Sequence, residues 1–304
     1  MTEFRSEVME FLRECTGDEP VRLSVPGADG VDVCVDVGWK LAVVTVPLGF
    51  FSNGGTVECL RAVEAWLADA AGCSEMRTSG AGPCAGMGSS GMAVADRVFL
   101  YEDRWRNDGT AVRAMLRVRL GRGLTVFARN CVVRDLAPET AANFLRRHHI
   151  YGPARARYRL GLFRTRATGR GEAGMDLTPA LVAVATFSAG RRKEDGTVSY
   201  EWVRYASAQG VRVTGGMGRL LDAFISKMRA SGPMDVMTYA DLEWYDGRSY
   251  RRLGFEPCGD REPVWFLCRP GSCGRQVCPG GAVFSDENAV RICNLGSRKY
   301  ISRW

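Results

Sequence analysis

The residues with the most chemical promise lie beyond position 200, apart from one histidine. The run Val211, Val213, Thr214, Gly215, Gly216, Met217, Gly218 joins a strand-like stretch to a helix-like one. Glycines there let the backbone approach a ligand, and the free N–H groups of a first helical turn attract an anion. Taken alone, a glycine turn between strand and helix is more often only a turn. Tyr250, in Tyr250-Arg-Arg-Leu-Gly-Phe-Glu256, is a candidate general acid, with packing of a short helix as its alternative role. Asp241, just past a strand end, could act as a base, orient a substrate or cap a turn. His149 is a candidate base that would titrate near neutrality, or a surface or capping residue. Arg204 lies mid-strand and, if buried, needs a partner such as Asp241 or Glu201. Trp244 could stack on a substrate base or close a core.

The surrounding pattern predicts the elements that hold these residues. Apolar spacing gives a strand from Thr125 to Val133 and a helix beginning at Pro138, where proline suits a first turn, and ending near His148. Strands follow over Arg157–Thr165, Ala180–Ser188 and Ser199–Ser207. A helix spans Arg219–Ala230, then a strand Asp235–Ala240, a short helix Gly247–Leu253 and strands around Phe255 and Val264–Cys268. Upstream, Phe4, Val8, Phe11 and Leu12 mark a helix, as do Val63, Trp66, Leu67 and Ala70. Strands are expected over Val31–Val37, Lys40–Pro47 and Arg97–Tyr101. Alternation from Val112 to Leu120 predicts another, with an arginine-rich outer face. The glycine-rich stretch 79–91 is expected to be a loop.

In the back half, the glycine turn and the Tyr250-to-Phe255 segment occur together and in order. They resemble the GNAT superfamily of N-acetyltransferases. That resemblance implies a CoA diphosphate held by the loop, with Gly216 and Gly218 at its two small positions. It also implies that Tyr250 protonates a departing thiolate, with Gly254 and Phe255 completing the segment, and that acetyl-CoA is the cofactor. Val213 departs from the pattern where glutamine or arginine is usual; Arg212 is adjacent. On this reading Gly216→Glu should abolish CoA binding without unfolding the protein.

A closer resemblance covers most of the chain, and it is more specific in the back half than in the front half. Tyr101-Glu-Asp-Arg-Trp105, Asn143-Phe-Leu-Arg-Arg-His-His-Ile-Tyr-Gly152 and Tyr239-Ala-Asp-Leu-Glu-Trp244 look like a group of phage and algal proteins described as homing-endonuclease-like or Vsr-like. The resemblance implies a PD-(D/E)xK nuclease-like domain over residues 1–122 and a GNAT-like domain over residues 123–304. The expected class is therefore α/β (α+β), a small degenerate restriction-endonuclease-like unit followed by a mixed-sheet acyltransferase unit. Such nucleases need an acid on each of two hairpin strands to hold Mg²⁺. Asp32 matches the first, but Val44 stands where the second belongs and Asp36 is the one nearby substitute. The front half is expected not to cut.

Composition bounds the partners. A formal charge of +7, from 41 Lys and Arg against 34 Asp and Glu, admits nucleic acid or CoA. Cys268, Cys273 and Cys278 are spaced C-x4-C-x4-C, unlike common paired zinc motifs, and are expected to be free thiols rather than a metal site. No apolar run suits a bilayer, and the opening residues lack a secretory pattern, so an intracellular protein is expected. Two functions compete: an acyl-CoA-dependent N-acyltransferase with an acceptor that could be nucleic-acid-linked, and an inactive nucleic-acid-binding or scaffold protein.

Overall fold

A computed structural model of the chain describes residues 3–36, 38, 40–72, 96–165, 180–269, 274–278 and 289–304. The backbone divides into two compact units. One comprises Met1–Gly109, Ala240–Asp246 and Asp260–Ser297; the other comprises Thr110–Tyr239, Gly247–Gly259 and Arg298–Trp304. A single cut after residue 122 does not describe this arrangement, because two later segments return to the first unit. The reason is burial: Leu242, Cys268, Ile292, Cys293 and Leu295 join the same apolar core as Val33, Val44 and Phe99. Local periodicity marks such residues as buried without saying which core they enter.

The first unit runs α1 (Glu3–Thr16), β1 (Val21–Ser24), β2 (Asp32–Val35), β3 (Ala42–Val46), α2 (Val57–Gly72), β4 (Arg97–Tyr101) and α3 (Glu102–Asn107). Its sheet has the order β1-β2-β3-β4. The first three strands are antiparallel, and β4 runs parallel to β3, with Val44 opposite Phe99. Every residue of β3 and β4 is buried. This explains their continuous apolar runs, since a strand covered on both faces has no wet side. Strand β1, with mostly exposed residues, carries no such signal and is missing from the sequence reading. The unit also contains the antiparallel sheet β15-β14-β16, formed by β14 (Trp265–Cys268), β15 (Gln276–Val277) and β16 (Val290–Cys293).

The second unit holds α4 (Gly109–Arg119), β5 (Leu124–Phe127), β6 (Cys131–Asp135), α5 (Pro138–His148), β7 (Tyr158–Arg164), β8 (Ala180–Phe187) and β9 (Arg191–Arg192). It continues with β10 (Val198–Ser207), β11 (Val211–Thr214), α6 (Gly216–Met228), β12 (Met234–Asp241), α7 (Arg248–Arg251), β13 (Glu256–Arg261) and β17 (Ser297–Arg303). The large sheet has the order β13-β17-β12-β10-β8-β7-β6, with β9 on β10, while β5 and β11 form a separate parallel pair. The stretch Val112–Leu120, expected as a strand, is helical instead. Val112, Leu116 and Leu120 are buried at a spacing of four, which a helix places on one face. Their alternating neighbours satisfied the strand template equally well. The predicted strand Thr125–Val133 is broken at Ala128–Asn130 by a 3₁₀ turn, leaving β5 and β6. The stretch 79–91 lies outside the described residues.

Helix α6 docks through Leu220, Leu221, Phe224, Ile225 and Met228. The Phe224 ring stacks on Phe187 of β8 with centroids 3.8 Å apart and planes 4° from parallel. Tyr158 and Tyr200 meet it edge-on at 5.6 and 5.2 Å. Offset and edge-to-face aromatic contacts add to simple area burial, so this cluster fixes the orientation of α6.

Candidate functional site

Three features converge at the start of α6. First, β10 and β12 run parallel but pair only over Val198–Glu201 and Met234–Met237. Beyond Glu201, β10 bulges between Trp202 and Arg204 and pairs with β8. The two parallel strands thus have no shared ladder over their C-terminal parts, where an open α/β sheet presents its ligands. Second, β11 leads into α6 through Gly215, whose φ of 76° is a left-handed conformation that glycine alone adopts without strain. Third, the first bond of α6 is donated by Arg219 N to Gly215 O at 3.1 Å. The N–H groups of Gly216, Met217 and Gly218 precede it and have no acceptor within the helix. Three such donors at the positive end of a 13-residue helix have the chemistry to receive an anion.

The glycines around that turn serve the protein's own packing as well. A Cβ on Gly216 would lie 2.7 Å from Val213 Cγ1 and 2.9 Å from the Tyr205 hydroxyl, and one on Gly218 would lie 3.3 Å from Leu253. The donors, and not the missing side chains, therefore make the case for a ligand. Gly216→Glu would disturb Val213 and Tyr205 before it met any cofactor, so the expectation that it spares folding is withdrawn. Val211 and Val213 are half-buried in β11, with Thr214 exposed at its end.

Tyr250 lies half-buried on α7. Its ring is 6.0 Å from Trp202, 5.8 Å from Phe255 and 5.6 Å from Tyr300. The helix starts from Gly247, whose φ is 77°. A Cβ there would fall on the Tyr300 ring, so glycine is required both by the turn and by close approach.

The remaining candidates have structural partners. Asp241 Oδ1 accepts the Glu243 N–H at 2.9 Å, and its carbonyl accepts from Trp244 N and Tyr245 N, which is the turn-capping alternative. Trp244 is 1% exposed and lies in a segment of the first unit, so it has no open face for a substrate base. Arg204 donates to the carbonyls of Gly152 at 3.3 Å and Val203 at 2.9 Å, so main-chain oxygens take the place of the expected Asp241 or Glu201 bridge. Burial and the nearby Arg204 charge push His149 down to about 4. Its Nδ1 already accepts the Tyr151 N–H at 3.1 Å. A base must offer a lone pair near the working pH, and His149 meets neither condition.

In the first unit Asp32 is not an open acid: it is paired with both Arg5 and Arg22. Opposite it on β3 stands Thr45, whose hydroxyl donates to the Asp32 carbonyl at 3.1 Å. Asp36 accepts Leu41 N at 2.8 Å and closes the hairpin. Sequence reasoning missed the unit's most demanding cluster. Arg275 is 4% exposed and donates to Asp103 Oδ2 at 2.8 Å, Asp103 Oδ1 at 3.1 Å and Glu243 Oε1 at 2.6 Å. Glu243 is wholly buried, and among the described residues its Oε2 has no hydrogen-bond partner. Nothing local distinguishes Glu243, which sits between Leu242 and Trp244 like an ordinary turn residue. Cys268, Cys278 and Cys293 are buried and Cys258 is exposed, while Cys273 lies outside the described residues.

Two buried groups titrate in opposite senses. Burial, opposed by Arg275, pushes Glu243 up to about 7, consistent with one guanidinium serving two carboxylates. The unfolded chain releases that proton near 4.3, so this group makes stability fall as pH rises from about 4.3 to about 7. His149 is depressed, so the unfolded chain takes up a proton below about 6.5 that the folded chain refuses; its contribution falls as pH drops toward about 4. The slopes oppose each other. In urea titrations between pH 4.5 and 6.5, relative to the unmutated protein, Glu243→Gln should gain stability with rising pH and His149→Gln should lose it. The limiting slope is about 1.4 kcal/mol per pH unit. Identical pH profiles for both variants would contradict the assignment.

The fold is that of a two-unit mixed α/β protein whose second unit carries a strand–glycine turn–helix segment, β11–Gly215–α6. Among solved structures, the chain is similar to Arabidopsis thaliana Naa50 in complex with a bisubstrate analogue, at 9% identity over 56% of this chain and 97% of that one, with a TM-score of 0.34. It is similar to an acetyltransferase from Corynebacterium glutamicum described with histone acetyltransferase HPA2, at 12% identity over 57% and 95%, with a TM-score of 0.33. A third is a GNAT family acetyltransferase from Elizabethkingia anophelis with acetyl-CoA bound, at 9% identity over 58% and 99%, with a TM-score of 0.30. No protein-family model matches the chain, and no curated protein matches it. Among the described residues no helix is long and apolar enough to cross a membrane.

Proposed function

We propose that the second unit is an acyl-CoA-dependent N-acyltransferase of the GNAT type. The observation that carries this reading is the left-handed turn at Gly215, after which the N–H groups of Gly216, Met217 and Gly218 open α6, on the sheet whose β10–β12 ladder ends at Glu201 and Met237. Those donors fit a diphosphate, whose charge suits both the helix dipole and the fixed N–H groups. Acetyl-CoA, when bound, supplies an acyl thioester activated for transfer to an amine. On this reading Tyr250 serves as the general acid, carrying at Oη the proton that a departing thiolate requires. Its ring is held among those of Trp202, Phe255 and Tyr300. His149, for the reasons above, has no part in the proposal, and Asp241 serves as a cap.

The reading separates binding from stability. Met217 stands at the second position of α6 and is half-buried. Met217→Asp adds a negative charge that the helix N-terminus favours by about 0.3–1 kcal/mol but that repels a diphosphate. The expected result is an unchanged or raised melting temperature together with at least about 10-fold weaker acetyl-CoA binding, or about 1.4 kcal/mol. Unchanged binding in a folded Met217→Asp protein would remove the cradle from the account.

For the first unit we infer a degenerate nuclease-like fold without cleavage chemistry. Its helix–three-strand–helix–strand order is compatible with that ancestry, and Asp32 is engaged by two guanidinium groups. Mg²⁺-dependent cutting of duplex DNA by the purified protein would overturn this inference.

A further inference from the structure

The chain's modest formal charge conceals a division between its units. The second unit carries 28 Lys and Arg against 10 Asp and Glu, and the first carries 13 against 24, giving formal charges of +18 and −11. A folded unit held so far from neutrality is destabilised by self-repulsion and relieved by a polyanion. Of its 28 cations, 25 are arginine, whose planar fork of donors fits phosphate and whose face stacks on rings. The first unit, the one expected to resemble a nuclease, has the wrong sign for phosphate attraction.

Charge alone would suit any polyanion, but two exposed rings narrow the choice. Phe127 on β5 is 41% exposed, and the Arg129 guanidinium lies over its ring at 4.8 Å. Tyr151 is 44% exposed, with the Arg204 guanidinium 6.0 Å from its ring centre. Aromatic platforms beside arginines are what unpaired bases stack on. Duplex nucleic acid, heparin and anionic lipid headgroups offer no free base faces. Phe127 also faces Thr214 across the β5–β11 ladder, one residue before the Gly215 turn.

We propose that the second unit binds single-stranded nucleic acid, holding phosphates through its arginine surface and stacking bases on Phe127 and Tyr151. This inference does not depend on the CoA reading, because the charge and the exposed rings stand whether or not the cradle is used. The test is fluorescence anisotropy of the full chain with labelled 20-nucleotide single-stranded RNA and DNA, a duplex of equal length, and heparin as competitor, over a range of salt. Single strands should bind more tightly than the duplex, with affinity falling by about 0.7 log units per log unit of salt for each phosphate neutralised. Phe127→Ala and Tyr151→Ala should each weaken single-strand binding by about 5- to 100-fold while leaving heparin binding and the melting temperature unchanged. Absence of binding at low salt would overturn the proposal. So would binding to heparin, duplex and single strands alike with both ring variants silent, which would indicate generic polyanion attraction. Loss of acetyl-CoA binding in Phe127→Ala without loss of nucleic acid would give that ring to the cofactor instead. The folded Met217→Asp protein should retain single-strand binding, which keeps failure of the cradle distinct from failure of this surface.

Discussion

Arg275→Ala is expected to destabilise the first unit by about 3–5 kcal/mol, the largest loss of any single substitution considered for this protein. The guanidinium is almost wholly buried and provides three hydrogen bonds to Asp103 and Glu243. Its positive charge lies 4.8 Å from the Tyr101 ring centre, a second favourable contact. Removing it leaves two carboxylates in an interior where water cannot replace the lost donors. Protonation of Glu243 would offset part of the cost, so the loss should be smaller at pH 5 than at pH 8. Arg275→Lys, which keeps charge but not the fork, should lose less than Arg275→Ala. Urea unfolding monitored at both pH values checks this, and a loss below about 1 kcal/mol would show that the cluster is not a structural keystone.

The second large effect concerns Tyr250. Tyr250→Phe should lower the turnover of acyl transfer by about 10²–10⁴-fold, the usual range for losing a positioned acid, while acetyl-CoA binding changes little. The ring contacts with Trp202, Phe255 and Tyr300 depend on the phenyl group and survive the substitution. Thiol release in the presence of an amine panel provides the rate, and calorimetric titration provides the affinity. A variant with undiminished turnover would assign Tyr250 to packing alone.

How much of this was legible in the sequence depended on whether neighbouring residues decide the outcome. Helix α5, from Pro138 to His148, and strands β8, β10 and β12 follow from local periodicity and hold within one or two residues. Helix α4 was misread because Val112, Leu116 and Leu120 satisfy both a period of two and a spacing of four. The glycine turn was readable since a left-handed residue before a helix leaves few alternatives to glycine at Gly215. By contrast, the return of Leu242 and Ile292 to the first core, and the meeting of Arg275 with Asp103 across more than a hundred residues, depend on the tertiary fold alone. The partner of Arg204 was missed for the same reason, since backbone carbonyls have no sequence signature.

The central claim is that the start of α6 holds an acyl-CoA. Isothermal titration of the whole protein with acetyl-CoA, and separately with free CoA, tests it most directly. The account predicts micromolar binding of both at one site per chain, about −8 kcal/mol, and its loss in a folded Met217→Asp protein. No heat and no competition at high micromolar concentrations of either ligand would contradict it.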